Sequence, residues 1–183
     1  MHNNGSQGAA FPIILLSGQK TSMPHGIPSD KKVETGDFIT MDFGALYNGY
    51  RSDMTRTVLI GKADEKQKKV YQIIQEVQSI GLENVRAGIP GRDVNQAVNM
   101  AIDKYHYLKF AGKGLGHGLG LDIHEIPYLN ARCTEILQEN MAVTIEPGIY
   151  IPYWGGVRIE DTVVVTNNGC EVLTKSTKEL ILL

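Results

Sequence analysis

The dipeptide Asn48-Gly49 constrains the fold of this chain more than any other feature. It joins two strand-like segments, residues 38–45 and 50–60. Asn-Gly between apolar or alternating segments is the strongest short-range signal for a β-hairpin with a two-residue turn. Because the length of the turn fixes the register of both strands, the dipeptide predicts which side chains face each other across the hairpin.

This register brings two acidic residues to the same face of the hairpin. Gly44 faces Asp53, and Asp42 lies two residues from Gly44, so Asp42 and Asp53 point to the same side. As diagonal neighbours their backbones are about 7–8 Å apart, within side-chain reach. Gly44 is expected to leave an open space between them. The alternative is that both aspartates only solvate the turn, where Asp is common.

Two further acids, Glu146 and Glu160, also lie within apolar, strand-like sequence. Pro147 biases Glu146 towards an extended backbone. A carboxylate in such a position is costly unless it is paired with a cation or bound to a metal. Structural ion pairs are the alternative to a metal, and three arginines could form them: Arg51, Arg56 and Arg158.

A metal site accounts better for this set of acids. Two divalent ions carry four positive charges, which match four carboxylates if His117 binds as a neutral imidazole. His117 lies among glycines, which allow close approach of the backbone to a ligand. Neither a helix-forming segment nor a Lys-Ser/Thr pair follows it, so we reject a phosphate-binding loop. Oxygen and imidazole ligands suit Mn²⁺, Co²⁺, Fe²⁺ or Zn²⁺, and the lack of thiolates argues against structural zinc.

The order of the other elements predicts one α+β domain with a mainly antiparallel sheet. A short strand is expected at residues 11–16. One amphipathic helix follows Asp64, which with Gln67 forms a capping signal, and Gly88 is its expected end. A second helix follows Pro90-Gly91 and extends to Tyr105. Strand-like sequence then returns at residues 112–124, 141–151, 157–165 and 171–173.

Composition excludes several classes of function. A net charge of −2 and a pI near 6.2 offer no basic surface for nucleic acid. The apolar segment at residues 11–16 is far shorter than the roughly 20 residues that cross a bilayer, so no membrane association is expected. Cys133 and Cys170 are too few for a disulfide framework, and two free thiols in a reducing cytoplasm are the simpler interpretation.

Five segments together resemble the pita-bread metallopeptidase family, and within it the Xaa-Pro aminopeptidases and prolidases. They occur in the family's order, and the resemblance as a whole runs from about residue 11 to residue 183. These segments are Met41-Asp42-Phe43-Gly44, Ser52-Asp53-Met54-Thr55-Arg56-Thr57, Gly116-His117-Gly118-Leu119-Gly120-Leu121-Asp122-Ile123-His124-Glu125, Ile145-Glu146-Pro147-Gly148 and Gly156-Val157-Arg158-Ile159-Glu160-Asp161.

The resemblance implies a pita-bread fold, in which helices cover a curved, mainly antiparallel sheet. It also implies a dinuclear site, with Mn²⁺ favoured, in which a metal-bridging hydroxide attacks peptide bonds that precede proline. Glu146 would shuttle the proton, His25 and His124 would hold the substrate and the tetrahedral intermediate, and Arg158 would orient a ligand carboxylate. The implied metal ligands are Asp42, Asp53, His117, Glu146 and Glu160.

Alternatives within this resemblance are a methionine aminopeptidase-like exopeptidase and a non-catalytic pita-bread module that binds other proteins. The module is disfavoured because all five ligands are present.

Two departures from the family pattern stand out. Lys113 occupies the position four residues before His117, where the family has His or a small residue; its ammonium is expected to point away from the metals. Family members also have helices before the strand at residues 11–16, and usually a separate N-terminal domain. Residues 1–183 are therefore expected to form a single pita-bread catalytic domain whose first half is incomplete, and self-association into a homo-oligomer is expected to cover the exposed surface.

Overall fold

Short β-strands and two α-helices build the chain, and the computed structural model describes all residues from 1 to 183. The helices are α1 (Glu65–Asn84) and α2 (Gly91–Lys104), and short 3-10 helices occupy His2–Asn4, Gly18–Ser22 and Leu108–Phe110. The strands are β1 (Gly8–Ala9), β2 (Ile14–Ser17), β3 (Phe38–Phe43), β4 (Ala45–Tyr47), β5 (Tyr50–Arg51), β6 (Met54–Leu59), β7 (Gly116–Gly118), β8 (Glu125–Leu129), β9 (Ala142–Ile145), β10 (Gly148–Ile151), β11 (Gly155–Arg158), β12 (Asp161–Thr166) and β13 (Gly169–Val172).

The strands form antiparallel sheets, which confirms the predicted α+β class. The largest sheet has the order β13-β12-β9-β7-β8, and a second has the order β2-β3-β6. Two smaller sheets are β1-β4-β5 and β10-β11. Within residues 112–124, predicted to be strand-like, only β7 is strand. Gly116 is needed there because a Cβ would collide with the backbone carbonyl of Thr144.

The hairpin around Asn48-Gly49 has the predicted register along its whole length. Tyr47 pairs with Tyr50 in β4–β5, and Asp42 pairs with Thr55 in β3–β6. The prediction of an open space at Gly44 was wrong. A Cβ on Gly44 would run into the backbone carbonyl of Ser52, so glycine is required because the two strands approach closely there.

A second long hairpin carries the two glutamates. Ile145 pairs with Asp161, and Gly148 pairs with Arg158, so the register continues from β9–β12 into β10–β11. The two strands predicted around Glu146 and Glu160 are each interrupted at the glutamate, because the backbone there does not form the regular hydrogen bonds between the strands. The N–H of Glu146 donates to Leu115 O at 2.8 Å, and the N–H of Glu160 donates to Thr55 O at 3.1 Å.

Both helices begin where the sequence predicted. The Asp64 carboxylate accepts from the N–H of Gln67, and the Gln67 side chain accepts from the N–H of Asp64, which forms the expected capping box. The prediction that Gly88 ends α1 was wrong, because α1 ends at Asn84. Gly88 instead lies in the following loop, where its N–H donates to Leu137 O.

The helices cover one face of the largest sheet and leave the other face free for polar groups. Val77 and Ile102 of the helices share a fully buried core with Val143 and Val163 of the sheet. Because side chains alternate along a strand, residues next to these core positions point away from the helices. Neither helix combines the length and apolar character needed to cross a membrane.

Candidate metal centre

The hairpin around Asn48-Gly49 supplies two buried aspartates. Asp42 lies on β3 and Asp53 immediately precedes β6, and both are less than one-tenth exposed. Asp42 Oδ2 accepts a hydrogen bond from Arg158 Nη2 at 2.6 Å. The Oδ1 atoms of both aspartates have no hydrogen-bond partner, although both are buried.

The second hairpin supplies Glu146 and Glu160, which lie opposite each other where its two strands are interrupted. The register that pairs Ile145 with Asp161 and Gly148 with Arg158 sets the two glutamates opposite each other. Glu160 is only 1% exposed; its Oε2 accepts from Thr55 Oγ1 at 2.6 Å, and its Oε1 has no partner.

His117 on β7 completes the cluster and presents one ring nitrogen to it. Its Nδ1 lies 2.9 Å from Gly118 O, and because a carbonyl can only accept, Nδ1 carries the proton. Nε2 is then free to bind a cation. It lies 3.3 Å from Glu146 Oε1 and 3.7 Å from Asp53 Oδ2.

The donor atoms of this cluster fit a cation. Ligand atoms of Asp53, His117 and Glu160 lie within 4.8 Å of one another, and all three residues are buried. Three carboxylate oxygens, on Asp42, Asp53 and Glu160, are buried without a hydrogen-bond donor. Buried polar atoms are nearly always satisfied in folded proteins, so three orphaned acceptors in one cluster indicate a site for positive charge.

Electrostatics in the ion-free protein lead to the same conclusion. Burial, together with the nearby Asp42 and Glu146 carboxylates, raises the pKa of Asp53 to about 8. Burial likewise raises the pKa of Glu160 well above its usual range. Burial lowers the pKa of His117, which favours the neutral imidazole that binds metals. Without a cation, these carboxylates therefore resist ionisation at neutral pH.

Comparison with known proteins assigns this chain to a family. The sequence pattern of Metallopeptidase family M24 matches residues 1–167. The chain belongs to this family. An Xaa-Pro dipeptidase of Pyrococcus horikoshii is 45% identical over 181 residues, which cover 99% of this chain and 52% of that protein.

Solved structures of M24 relatives show the same fold. The Xaa-Pro dipeptidase from Bacillus anthracis is 48% identical with a TM-score of 0.97, over 100% of this chain and 51% of that one. The X-Pro aminopeptidase from Thermotoga maritima MSB8 is 40% identical with a TM-score of 0.97, over 100% of this chain and 52% of that one. The predicted pita-bread fold is confirmed. The chain spans about half the length of these relatives.

The M24 chain brings two of the remaining predicted site residues close to the cluster. The ring centroid of His124 lies 4.4 Å from that of His117, with the rings edge to face. His25 is exposed and directly follows Pro24, whose carbonyl accepts from Arg158 Nη1 at 3.2 Å. Lys113 is exposed to solvent.

The three arginines were the alternative to a metal, because they could form structural ion pairs with the buried acids. Each of them has different partners. Arg158 pairs with Asp42, the only candidate ligand whose side chain forms an ion pair with an arginine. Arg56 pairs with Asp161 at 2.7 Å, and Arg51 donates to backbone carbonyls, including that of Leu121. Ion pairs therefore leave the orphaned oxygens of the cluster without compensation.

Two threonines that the sequence analysis did not select form hydrogen bonds to the candidate ligands. Thr55 Oγ1 donates to Glu160 and accepts from Arg158 Nε at 3.0 Å. Thr144 Oγ1 donates to Glu146 Oε1 at 3.0 Å and accepts from the N–H of His117 at 3.0 Å. Each threonine lies two residues from a ligand acid, Asp53 or Glu146, and thus on the same strand face. The two-residue period could have identified them.

Proposed function

We propose that this chain is the catalytic part of a dinuclear metallo-exopeptidase that hydrolyses peptide bonds preceding proline. The observation that carries the proposal is the convergence of buried donors with three orphaned carboxylate oxygens. The proposed ligands are Asp42, Asp53, His117, Glu146 and Glu160. Mn²⁺ is the proposed metal, with Co²⁺, Fe²⁺ or Zn²⁺ as alternatives.

The substrate class comes from the relatives. Proteins named Xaa-Pro dipeptidase and X-Pro aminopeptidase are 40% or more identical to this chain over almost all of its length. We extend that specificity to a peptide with proline in the second position.

Each residue of the site has a proposed task in hydrolysis. When bound, the two ions would activate a bridging water as nucleophile and polarise the scissile carbonyl. Glu146 is partly exposed, and burial raises its pKa, which favours its proposed role as the group that takes up and releases a proton. His124 and His25 are exposed next to the cluster, where they can donate hydrogen bonds to the substrate. Arg158 donates to Asp42 Oδ2, which orients this carboxylate, and its charge partly offsets the burial that raises the pKa of Asp42.

A two-stage experiment tests the proposal. The first stage titrates ion-free protein with Mn²⁺ or Co²⁺ and counts bound ions for wild type, Asp53→Ala and an Asp42/Asp53 double alanine variant. Wild type should bind up to two ions, and Asp53→Ala should lose at least one. Asp30→Ala, which changes an exposed aspartate, is the matched control.

The second stage compares release of the first residue from Xaa-Pro peptides and from Met-Ala peptides. Faster cleavage of Xaa-Pro supports the proposal, whereas faster release of Met would assign a methionine aminopeptidase-like activity. Equal metal uptake by wild type and the double variant would refute the ligand assignment. Metal binding with no turnover of either peptide would favour a binding module.

Two further expectations accompany this function as predictions. Ile13, just before β2, and Leu15, within it, are about half exposed, and β2 is an edge strand of its sheet, which is consistent with self-association of the chain. Cys133 and Cys170 are both free thiols, which is consistent with a cytoplasmic location.

A further inference from the structure

A second buried polar cluster lies directly behind the metal centre and is built around Asp161. Because side chains alternate, Asp161 points away from the metal centre although its neighbour Glu160 points into it. Asp161 Oδ1 accepts from Arg56 Nη2 and Thr174 Oγ1, and Oδ2 accepts from Gln78 Nε2 and Lys178 Nζ, all within 2.6–2.9 Å. Every acceptor position of this fully buried carboxylate is thus used.

Arg56 connects this cluster to the backbone of the metal centre. Its Nη1 donates to the carbonyls of Thr55 and Glu160. Its other donors reach Asp161 and the carbonyls of Ser176 and Thr177. All five N–H groups of the guanidinium therefore have partners, and two of these partners belong to residues of the metal centre.

Half of the cluster comes from a segment near the C-terminus that we call the C-terminal strap, residues 174–179. The strap supplies Thr174 and Lys178 to Asp161, and two backbone carbonyls to Arg56. It lies beyond residues 1–167, the part that the family pattern matches. Through these contacts the strap reaches the side of the strands that faces away from the metal centre.

We propose that the C-terminal strap, acting through Asp161 and Arg56, positions Glu160 and Thr55 for metal binding. The strap residues touch neither substrate nor metal, so they are positioning residues. Arg56 fixes the Glu160 carbonyl, and Thr55 Oγ1 fixes the Glu160 carboxylate at 2.6 Å. With both ends of Glu160 held, its unpartnered Oε1 keeps its direction into the site. This inference rests on the proposed role of Glu160 as a ligand.

The test measures Co²⁺ affinity and the visible spectrum of bound Co²⁺ in the full chain. Lys178→Met removes the ammonium from Asp161, and we expect Co²⁺ affinity to fall about tenfold or more, with an altered spectrum at saturation. Lys178→Arg, which keeps the cation, should retain more of the affinity. Lys175→Met is the matched control, since the exposed Lys175 ammonium donates only to the carbonyl of Val172.

A second control separates positioning from general loss of stability. Val94→Ala truncates a fully buried side chain of α2, a helix that donates no hydrogen bond to Asp161 or the strap, and lowers stability through the cavity that it leaves. It should leave Co²⁺ affinity unchanged. Circular dichroism and thermal melting confirm that each variant is folded, and Thr174→Val replaces Lys178→Met if the latter does not fold.

The outcomes distinguish this inference from the proposed function. Folded Lys178→Met that binds Co²⁺ within about twofold of wild type overturns the positioning role. An equal loss of affinity in Val94→Ala overturns it as well, because the effect would then follow stability. Wild-type protein that takes up no Co²⁺ overturns the metal site itself, and this inference with it.

Discussion

Two adjacent carboxylates, Glu160 and Asp161, show how surroundings set the role of a residue. Asp161 is buried, yet hydrogen bonds from Thr174, Arg56 and Lys178 outweigh its desolvation and lower its pKa. Glu160 is equally buried but has an unpartnered oxygen, and burial followed by repulsion from Glu146 raises its pKa. The satisfied carboxylate therefore supports the structure, and the unsatisfied one is available to a ligand.

The raised pKa of Asp53 predicts how stability depends on pH in the ion-free protein. The folded protein keeps this proton up to a pKa of about 8, whereas the unfolded chain releases it near 3.8. Between these values the folded state binds more protons, so this stabilisation is lost as pH rises through about 8. We expect the free energy of unfolding to fall between pH 6.5 and 8.5, by about 1.4 kcal/mol per pH unit at most for one proton.

Denaturant unfolding in the presence of EDTA measures this slope. Asp53→Asn should reduce it, whereas Asp30→Asn at an exposed position should not. The lowered pKa of His117 acts in the opposite direction, but only below the unfolded value of 6.5. A wild-type slope that Asp53→Asn leaves intact would contradict the assignment.

At the scale of elements, two bent hairpins deliver four of the proposed ligands. Each keeps one register on both sides of an irregularity, and its acids lie at or next to that irregularity. Asp53 follows the point where Gly44 meets the Ser52 carbonyl, and the glutamates occupy the breaks between β9–β12 and β10–β11. At an irregularity the residue is outside the regular hydrogen-bond pattern of the sheet, so the carboxylate of the acid can point towards the site.

Gly44→Ala tests the link between hairpin geometry and metal binding. The new Cβ meets backbone atoms of Ser52, which cannot move away as a side chain could. We expect a loss of about 1–3 kcal/mol in the free energy of unfolding. Metal affinity should fall too, because Asp53 follows Ser52 directly.

Gly169→Ala provides the comparison, since a Cβ at Gly169 meets nothing within 4 Å. Isothermal titration with Mn²⁺ and chemical unfolding measure both quantities. If Gly44→Ala and Gly169→Ala behaved alike, close approach of the strands would not explain the glycine.

At the scale of the whole molecule, the proposed site joins two sheets. Asp42 and Asp53 come from the hairpin that includes β3 and β6, whereas His117, Glu146 and Glu160 come from the strands of the largest sheet and its extension. Without ions, the contact between these sheets brings several carboxyl groups together and makes their ionisation costly. Bound cations would stabilise the ionised carboxylates and link the two sheets.

Metal binding should therefore stabilise the molecule and reduce motion in both sheets. At an ion concentration one hundred times the dissociation constant, binding adds about 2.7 kcal/mol. For a chain of this size this corresponds to a rise in Tm of roughly 5–11 °C. Differential scanning calorimetry with Mn²⁺ and with EDTA measures the shift.

Hydrogen exchange locates the effect. Amides of β3 and β6 and amides of β9 and β12 should both exchange more slowly when Mn²⁺ is present. Protection confined to one of these sheets would show that the ions do not link them. In Asp53→Ala the difference between Mn²⁺ and EDTA should shrink in both.

The sequence determined the features that depend on neighbours along the chain. Asn48-Gly49 set the hairpin register, Asp64 and Gln67 set the start of α1, and acids within apolar strands indicated the candidate metal site. Such signals are readable because a turn or a cap is decided by residues two or three positions apart.

Only the tertiary structure decided which distant groups meet. Thr55 reaches Glu160 across 105 positions, and Arg158 reaches Asp42 across 116. It also decided that the Ser52 carbonyl packs closely against Gly44, and that Arg56 forms an ion pair with Asp161. No local pattern encodes these contacts, because they arise when sheets pack and each buried polar group must find a partner.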